Sequence, residues 1–140
     1  MRKLVVLTLL CCVMSHATYA QEAVATVKGF VAAFNEKDID GMLKLAATDI
    51  QWMSVSGQTI TSEAATQEAL KTAMSGYFAS VPSARSEIRA IHQSASFVFA
   101  LEEASWTSNE VEKSQCSMAV YELVEGKIKH VWYFPAHACS

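Results

Sequence analysis

Two adjacent acids, Glu102 and Glu103, stand in the stretch from Ser96 to Trp106, whose other members are mostly apolar. Read as a strand, its alternation puts Glu102 with Val98, Ala100, Ala104 and Trp106, and Glu103 with Phe97, Phe99 and Leu101. One of the two carboxyls must then share an apolar face. Burial there raises its pKa, and such a group can serve as an acid or a base. The alternatives are an ion pair with a basic residue or a place at a solvated sheet edge. His130, among Tyr121, Ile128, Trp132 and Phe134, is the third candidate. Lining a pocket it would be a base. In a contact between subunits it would be a hydrogen-bonding residue, and this role is favoured, since a lone histidine on an apolar face seldom identifies chemistry.

Other constellations are weaker. His92, His130, His137, Cys116 and Cys139 are too spread out for a metal-ligand motif, so no metal is expected. The five glycines form no phosphate-binding loop, and no cofactor is expected. Asp38, Asp40 and Asp49 read as helix caps and loop acids. Cys116 and Cys139 can form a disulfide in an exported chain, or remain a buried thiol and a free thiol.

The elements that must position these residues follow from periodicity. Val24, Val27, Val31 and Phe34 recur at helical spacing and predict a helix over 22–35. Asp38 caps a short second helix through Leu45, and Ile50 to Val55 reads as a strand. Ser56-Gly57 is a turn, Thr59-Ile60 returns beside it, and Thr61 or Ser62 caps a third helix that Pro82 closes. The remainder is extended: 86–91, 96–106, 113–124 and 127–134. Such an order predicts an α+β domain with a curved antiparallel sheet over helices.

The chain has 140 residues, 51% of them hydrophobic and 18% charged, enough for one folded domain and no more. Part of that apolar share belongs to a leader. Met1-Arg2-Lys3 is basic, Leu4 to Val13 is apolar but for Thr8, and small residues end at Ala20. This is the pattern of a secretory signal peptide over 1–20, cleaved after Ala20, with a single domain over 21–140. The mature chain is expected to be periplasmic or secreted. Loss of Arg2 and Lys3 takes the formal charge from −3 to −5 and leaves no basic stripe. Nucleic acid and an anionic membrane surface are both disfavoured as partners.

The last hairpin can be registered by hand. A two-residue turn at Glu125-Gly126 sets Leu123 opposite Ile128, Tyr121 opposite His130 and Ala119 opposite Trp132. One face then carries Ala119, Tyr121, Leu123, Ile128, His130, Trp132 and Phe134, and the other Cys116, Met118, Val120, Val131 and Tyr133. Both are substantially apolar. Helices can cover one, and a second copy of the chain is expected on the other, giving a homodimer through the sheet face.

The run from Gly29 through Phe34, Asn35, Lys37-Asp38-Ile39-Asp40 to Leu43, followed by the Trp52 strand, resembles the opening of the NTF2-like superfamily in its SnoaL-like branch. Ser117 to Tyr133 resembles its final hairpin. The resemblance implies a cone-shaped NTF2-like fold, three N-terminal helices packed on a curved antiparallel sheet, with ligands between the two. It does not imply one activity, since isomerases, cyclases, hydrolases and noncatalytic members share the fold. A ketosteroid-isomerase mechanism needs a base and an oxyanion hole of tyrosine and protonated aspartic acid. By resemblance those roles fall on Ser54, Phe30 and Met118, none of which can fill them, and no Asp follows Asp49.

The expected pocket is therefore apolar, lined by Phe30, Phe34, Trp52, Met74, Phe78, Met118 and Val120, with Ser54 and Tyr133 as polar handles. The leading expectation is an exported SnoaL-like domain binding a small hydrophobic molecule. One rival is an isomerase, lyase or hydrolase using Glu102 or Glu103 with Tyr133 or His130. The other is a noncatalytic association module working through the apolar sheet face.

Overall fold

The computed structural model describes the backbone of residues 11–140 and the side chains of residues 21–140. The expected signal peptide, 1–20, lies outside the described side chains, and its first ten residues lie outside the described backbone. Helix α1 (Cys11–Glu36) and helix α2 (Ile39–Leu45) open the chain. Strands β1 (Ala46–Ser56) and β2 (Thr59–Ala64) follow, then helix α3 (Gln67–Ser80), then β3 (Arg85–Ser94), β4 (Phe97–Ser108), β5 (Val111–Val124) and β6 (Lys127–Tyr133). The strands form one sheet in the order β2-β1-β6-β5-β4-β3. Neighbours are antiparallel except β1 and β6, which run parallel.

Apolar periodicity explains the α1 contact. Ala23, Val27, Phe30 and Val31 are buried against the sheet side. The helix ends in a Schellman motif: Asp38 N–H donates to the Ala33 carbonyl at 2.9 Å and Lys37 N–H to that of Phe34 at 3.1 Å. Lys37 therefore takes a left-handed φ of 59°. Its side chain holds that conformation by donating to the Ala84 carbonyl and lying over the Phe34 and Phe78 rings. Asp38 then caps α2 by accepting from Gly41 N–H at 2.9 Å. The core lies between helices and sheet, where Met42, Ile50, Leu70, Val98, Tyr121, Leu123, Ile128 and Val131 are all at most 1% exposed.

Four expectations need correcting. Helix α1 extends N-terminally beyond the predicted 22–35, its backbone continuing through the bond after Ala20. The third helix is not N-terminal to the sheet, since β1 and β2 precede it. Its cap is Thr66, whose side chain accepts from Ala69 N–H at 3.1 Å, because Thr61 and Ser62 are taken up in β2. The fourth correction is the largest. Leu123 does sit opposite Ile128, but Lys129 is an extra residue, and beyond it Glu122 faces His130, Tyr121 faces Val131 and Ala119 faces Tyr133. A bulge reverses alternation on the strand that carries it. Val131 and Tyr133 turn inward with Ala119, Tyr121 and Leu123, while His130 and Trp132 turn outward with Val120 and Glu122. The turn itself is as expected: Glu125 and Gly126 have φ of 52° and 74°, a pairing that suits a type I′ hairpin.

Candidate functional site

Glu102 is the only charged side chain among the described residues that is buried, at 4% exposure. It stands on the inner face of β4 with Val98 and Ala100, both fully buried. Strand pairing brings its partners to it. Ser86 comes from β3 and Tyr121 from β5 on one side and Tyr133 from β6 beyond. Tyr121 donates its hydroxyl to Glu102 Oε1. Ser86 Oγ and the Tyr133 hydroxyl each donate to Oε2 at 3.0 Å. The two phenol oxygens are 3.0 Å apart. Ser86 is itself clamped by Asn35 of α1, which donates to the Ser86 carbonyl and accepts from its N–H, both at 2.8 Å.

This cluster closes one end of a cavity of about 240 Å³ between helices and sheet. Its other walls are Phe30, Val31 and Phe34 of α1, Trp52 of β1, Met74 and Tyr77 of α3, Ala104 of β4 and Ser117 of β5. The aromatic rings are in mutual contact: Trp52 stacks on Tyr133 at 5.2 Å and 21°, and Phe30 meets Trp52 at 5.8 Å.

The electrostatics follow from burial. Loss of water holds the Glu102 carboxyl above its ordinary pKa, against the downward pull of hydrogen bonds from Tyr121, Tyr133 and Ser86. Burial and the neighbouring acidic groups push Tyr121 and Tyr133 well above 10, so both remain hydroxyl donors. A carboxyl whose pKa is raised on folding binds its proton more tightly in the folded chain. Its contribution to stability is fully present below the unfolded value and is lost as pH rises toward the folded one. Glu102→Gln does not titrate. Its melting temperature relative to wild type is therefore expected to rise as pH increases from about 4 to 8. Thermal melts at matched pH values check this, and a difference independent of pH would mean that Glu102 ionises in the fold at no cost.

The residues expected at a site divide sharply. Phe30, Phe34, Trp52, Met74 and Tyr133 line the cavity together with Glu102. Phe78 stands behind it, against Phe34 at 5.0 Å. Glu103 points to the opposite face and pairs with Arg89 at 3.3 Å. His130 is also on the outer face, with Nδ1 2.7 Å from Glu122 and its ring stacked on Trp132 at 5.3 Å, and does not reach the cavity. Met118 and Val120, expected in the pocket, share that outer face because they alternate with the inward Ser117, Ala119 and Tyr121. Ser54 donates to Glu63 at 2.6 Å and is not part of the wall. Tyr121, Ser86, Ser117 and Tyr77 were not anticipated. Tyr121 could have been found from its pairing in β5, which places it two residues along the same face from Ala119, beside the Glu102 strand. Cys116 and Cys139 are joined by a disulfide with Cα atoms 5.0 Å apart. Glu103 lies close to both sulfurs, but bonded cysteines offer no thiolate to a metal.

Comparison with known proteins gives a consistent result. A family model described as SnoaL-like domain matches residues 27–131. No curated protein matches the chain in sequence. Among solved structures, the chain is similar to an uncharacterised cystatin-fold protein from Novosphingobium aromaticivorans, with a TM-score of 0.69 and 20% identity over 81% of this chain and 97% of that one. It is similar to an epoxide hydrolase of M. tuberculosis, with a TM-score of 0.67 and 16% identity over 83% and 84%. A putative polyketide cyclase from Xanthomonas campestris aligns with a TM-score of 0.61 and 18% identity over 83% and 91%. At these identities the likeness is one of fold.

Proposed function

We propose that this chain, which belongs to the SnoaL-like domain family of the NTF2-like superfamily, binds a small hydrophobic molecule in the cavity between its helices and its sheet. One observation carries the reading: a cavity of about 240 Å³ walled by aromatic side chains and ending in a single buried carboxyl with three hydroxyl donors. Apolar walls with a few convergent polar groups are what a small-molecule site requires. The volume suits a ligand on the order of ten non-hydrogen atoms.

Acid–base catalysis on the bound molecule is the second reading. The raised pKa of Glu102 inside the cavity favours it. Similar folds include proteins described as a putative polyketide cyclase and an epoxide hydrolase. Glu102 would then be the group that moves the proton, with Tyr133 and Tyr121 adjusting its acidity.

The domain acts outside the cytoplasm in this reading, after cleavage of residues 1–20. The Cys116–Cys139 disulfide supports an oxidising compartment. It acts as a homodimer through the outer sheet face, where Val55, Ile60, Phe97, Phe99, Trp132 and Phe134 line an apolar groove. Native mass spectrometry of protein purified from the exported fraction tests these points together. The expected species is a dimer cleaved after Ala20, two hydrogens lighter per chain, carrying small-molecule mass. An uncleaved chain, a pure monomer at micromolar concentration, or a cavity that takes up no small aromatic molecule on titration would each remove the corresponding part.

A further inference from the structure

The cavity has an acidic end without a basic partner. The three hydrogen-bond partners of Glu102 are all neutral hydroxyls. Glu102 takes part in none of the ion pairs among the described residues. Lys37 does not line the cavity; it lies over the Phe34 and Phe78 rings and is engaged by the Ala84 carbonyl. Arg89 lies on the outer face with Glu87 and Glu103. A buried carboxylate lacking a counter-charge is costly, and a ligand that supplies the charge removes that cost.

The hydroxyls point the same way. Each carries one hydrogen, and those of Ser86, Tyr121 and Tyr133 are directed at Glu102. What they offer to a ligand is lone pairs. The two phenol oxygens are within hydrogen-bond distance of each other, 3.0 Å, and each that donates to Glu102 keeps lone pairs that an N–H donor could use. Phe30, Trp52 and Tyr133 line the same cavity, and a cation seated over a ring is attracted to the negative side of its quadrupole. Carboxylate, lone pairs and ring faces all favour a cation that donates hydrogen bonds, and all disfavour an anion.

We propose that the ligand of this cavity is a small hydrophobic amine, bound as its ammonium with the head at Glu102 and the hydrocarbon body against Phe30, Phe34 and Trp52. The proposal rests on the reading of the cavity as a ligand site. Three probes of similar size separate the two: 2-phenylethylamine, 2-phenylethanol and phenylacetate, a cation, a neutral molecule and an anion. Calorimetric titration into the exported protein at neutral pH is expected to show the amine at least about tenfold tighter than the alcohol, a difference of about 1.4 kcal/mol. The carboxylate is expected to be weakest. Glu102→Gln is expected to bring the amine-to-alcohol ratio near one. Equal affinities for amine and alcohol, or a preference that survives Glu102→Gln, overturn the amine class while the alcohol's binding keeps the cavity reading. Binding of none of the three overturns both. Should Glu102→Gln fail to fold, the order of the three probes on the wild-type protein decides.

Discussion

Replacing Cys116 and Cys139 together by alanine is expected to lower the unfolding free energy by about 3 kcal/mol and the melting temperature by on the order of 10 °C. The bond spans a sequence separation of 23 residues, so it closes a loop that holds β5 from Cys116 onward, all of β6 and the tail beyond it. A crosslink of that length acts mainly by restricting the unfolded chain. Backbone hydrogen bonds join the same two segments. Phe134 N–H donates to the Met118 carbonyl at 2.9 Å, and Cys116 and His137 exchange backbone hydrogen bonds at 2.9 and 2.8 Å. The tail thus continues the β6 ladder along β5 and delivers Cys139 to the buried Cys116. Tyr133, which donates to Glu102, is the last residue of β6 and stands directly before this tail. Chemical denaturation of the double variant, and of wild type with and without reductant, measures the effect. A loss below about 1 kcal/mol would show that the backbone pairing of the tail holds β6 in place unaided.

How much of this was legible in the sequence depended on where alternation runs unbroken. Between Phe97 and Ser108, β4 pairs with β5 without a register shift. A simple odd–even reading therefore separated Glu102 from Glu103 correctly, and the structure shows that the buried face is the one that carries Glu102. In β6 the same rule failed at one residue. Lys129 is inserted at the bulge and its ammonium pairs with Asp49 of β1, a contact between residues 80 positions apart that nothing local announces. That single insertion exchanged the faces of Val131 and His130 and of Tyr133 and Trp132 relative to β5. The consequence reached the site. Met118 and Val120 were assigned to the cavity because Tyr133 was taken to travel with them, and Tyr121, the closest partner of Glu102, was assigned to the outside. The start of α3 failed for a different reason. Thr61 and Ser62 can each cap a helix or sit in a strand, and pairing with β1 decides in favour of the strand. The motif resemblance, by contrast, identified the family and the α+β architecture without needing the register, although the order it implied, three helices ahead of the sheet, is not the one observed.

Phe30→Ala is expected to cost about 3–5 kcal/mol of this chain's stability. Phe30 is 2% exposed and belongs at once to the core cluster and to the cavity wall, where its ring meets Trp52. Truncation removes buried apolar surface on α1, and the existing cavity lets the space enlarge instead of collapsing, which places the cost toward the upper part of that range. Phe30→Leu keeps most of the volume and is expected to cost less than about 1.5 kcal/mol. The pair distinguishes two roles that share one side chain. If the ring serves only to fill the core, Leu preserves both stability and affinity for an aromatic probe. If it also presents its face to the ligand, Leu preserves stability but weakens binding of a cation more than of a neutral molecule, since an aliphatic side chain has no quadrupole. Denaturation curves of both variants, with titration of Phe30→Leu by 2-phenylethylamine and 2-phenylethanol, separate these outcomes. A Phe30→Ala loss below about 1 kcal/mol would mean that the cavity already isolates the ring from the core, and the packing of α1 on the sheet would then rest on Val27 and Val31.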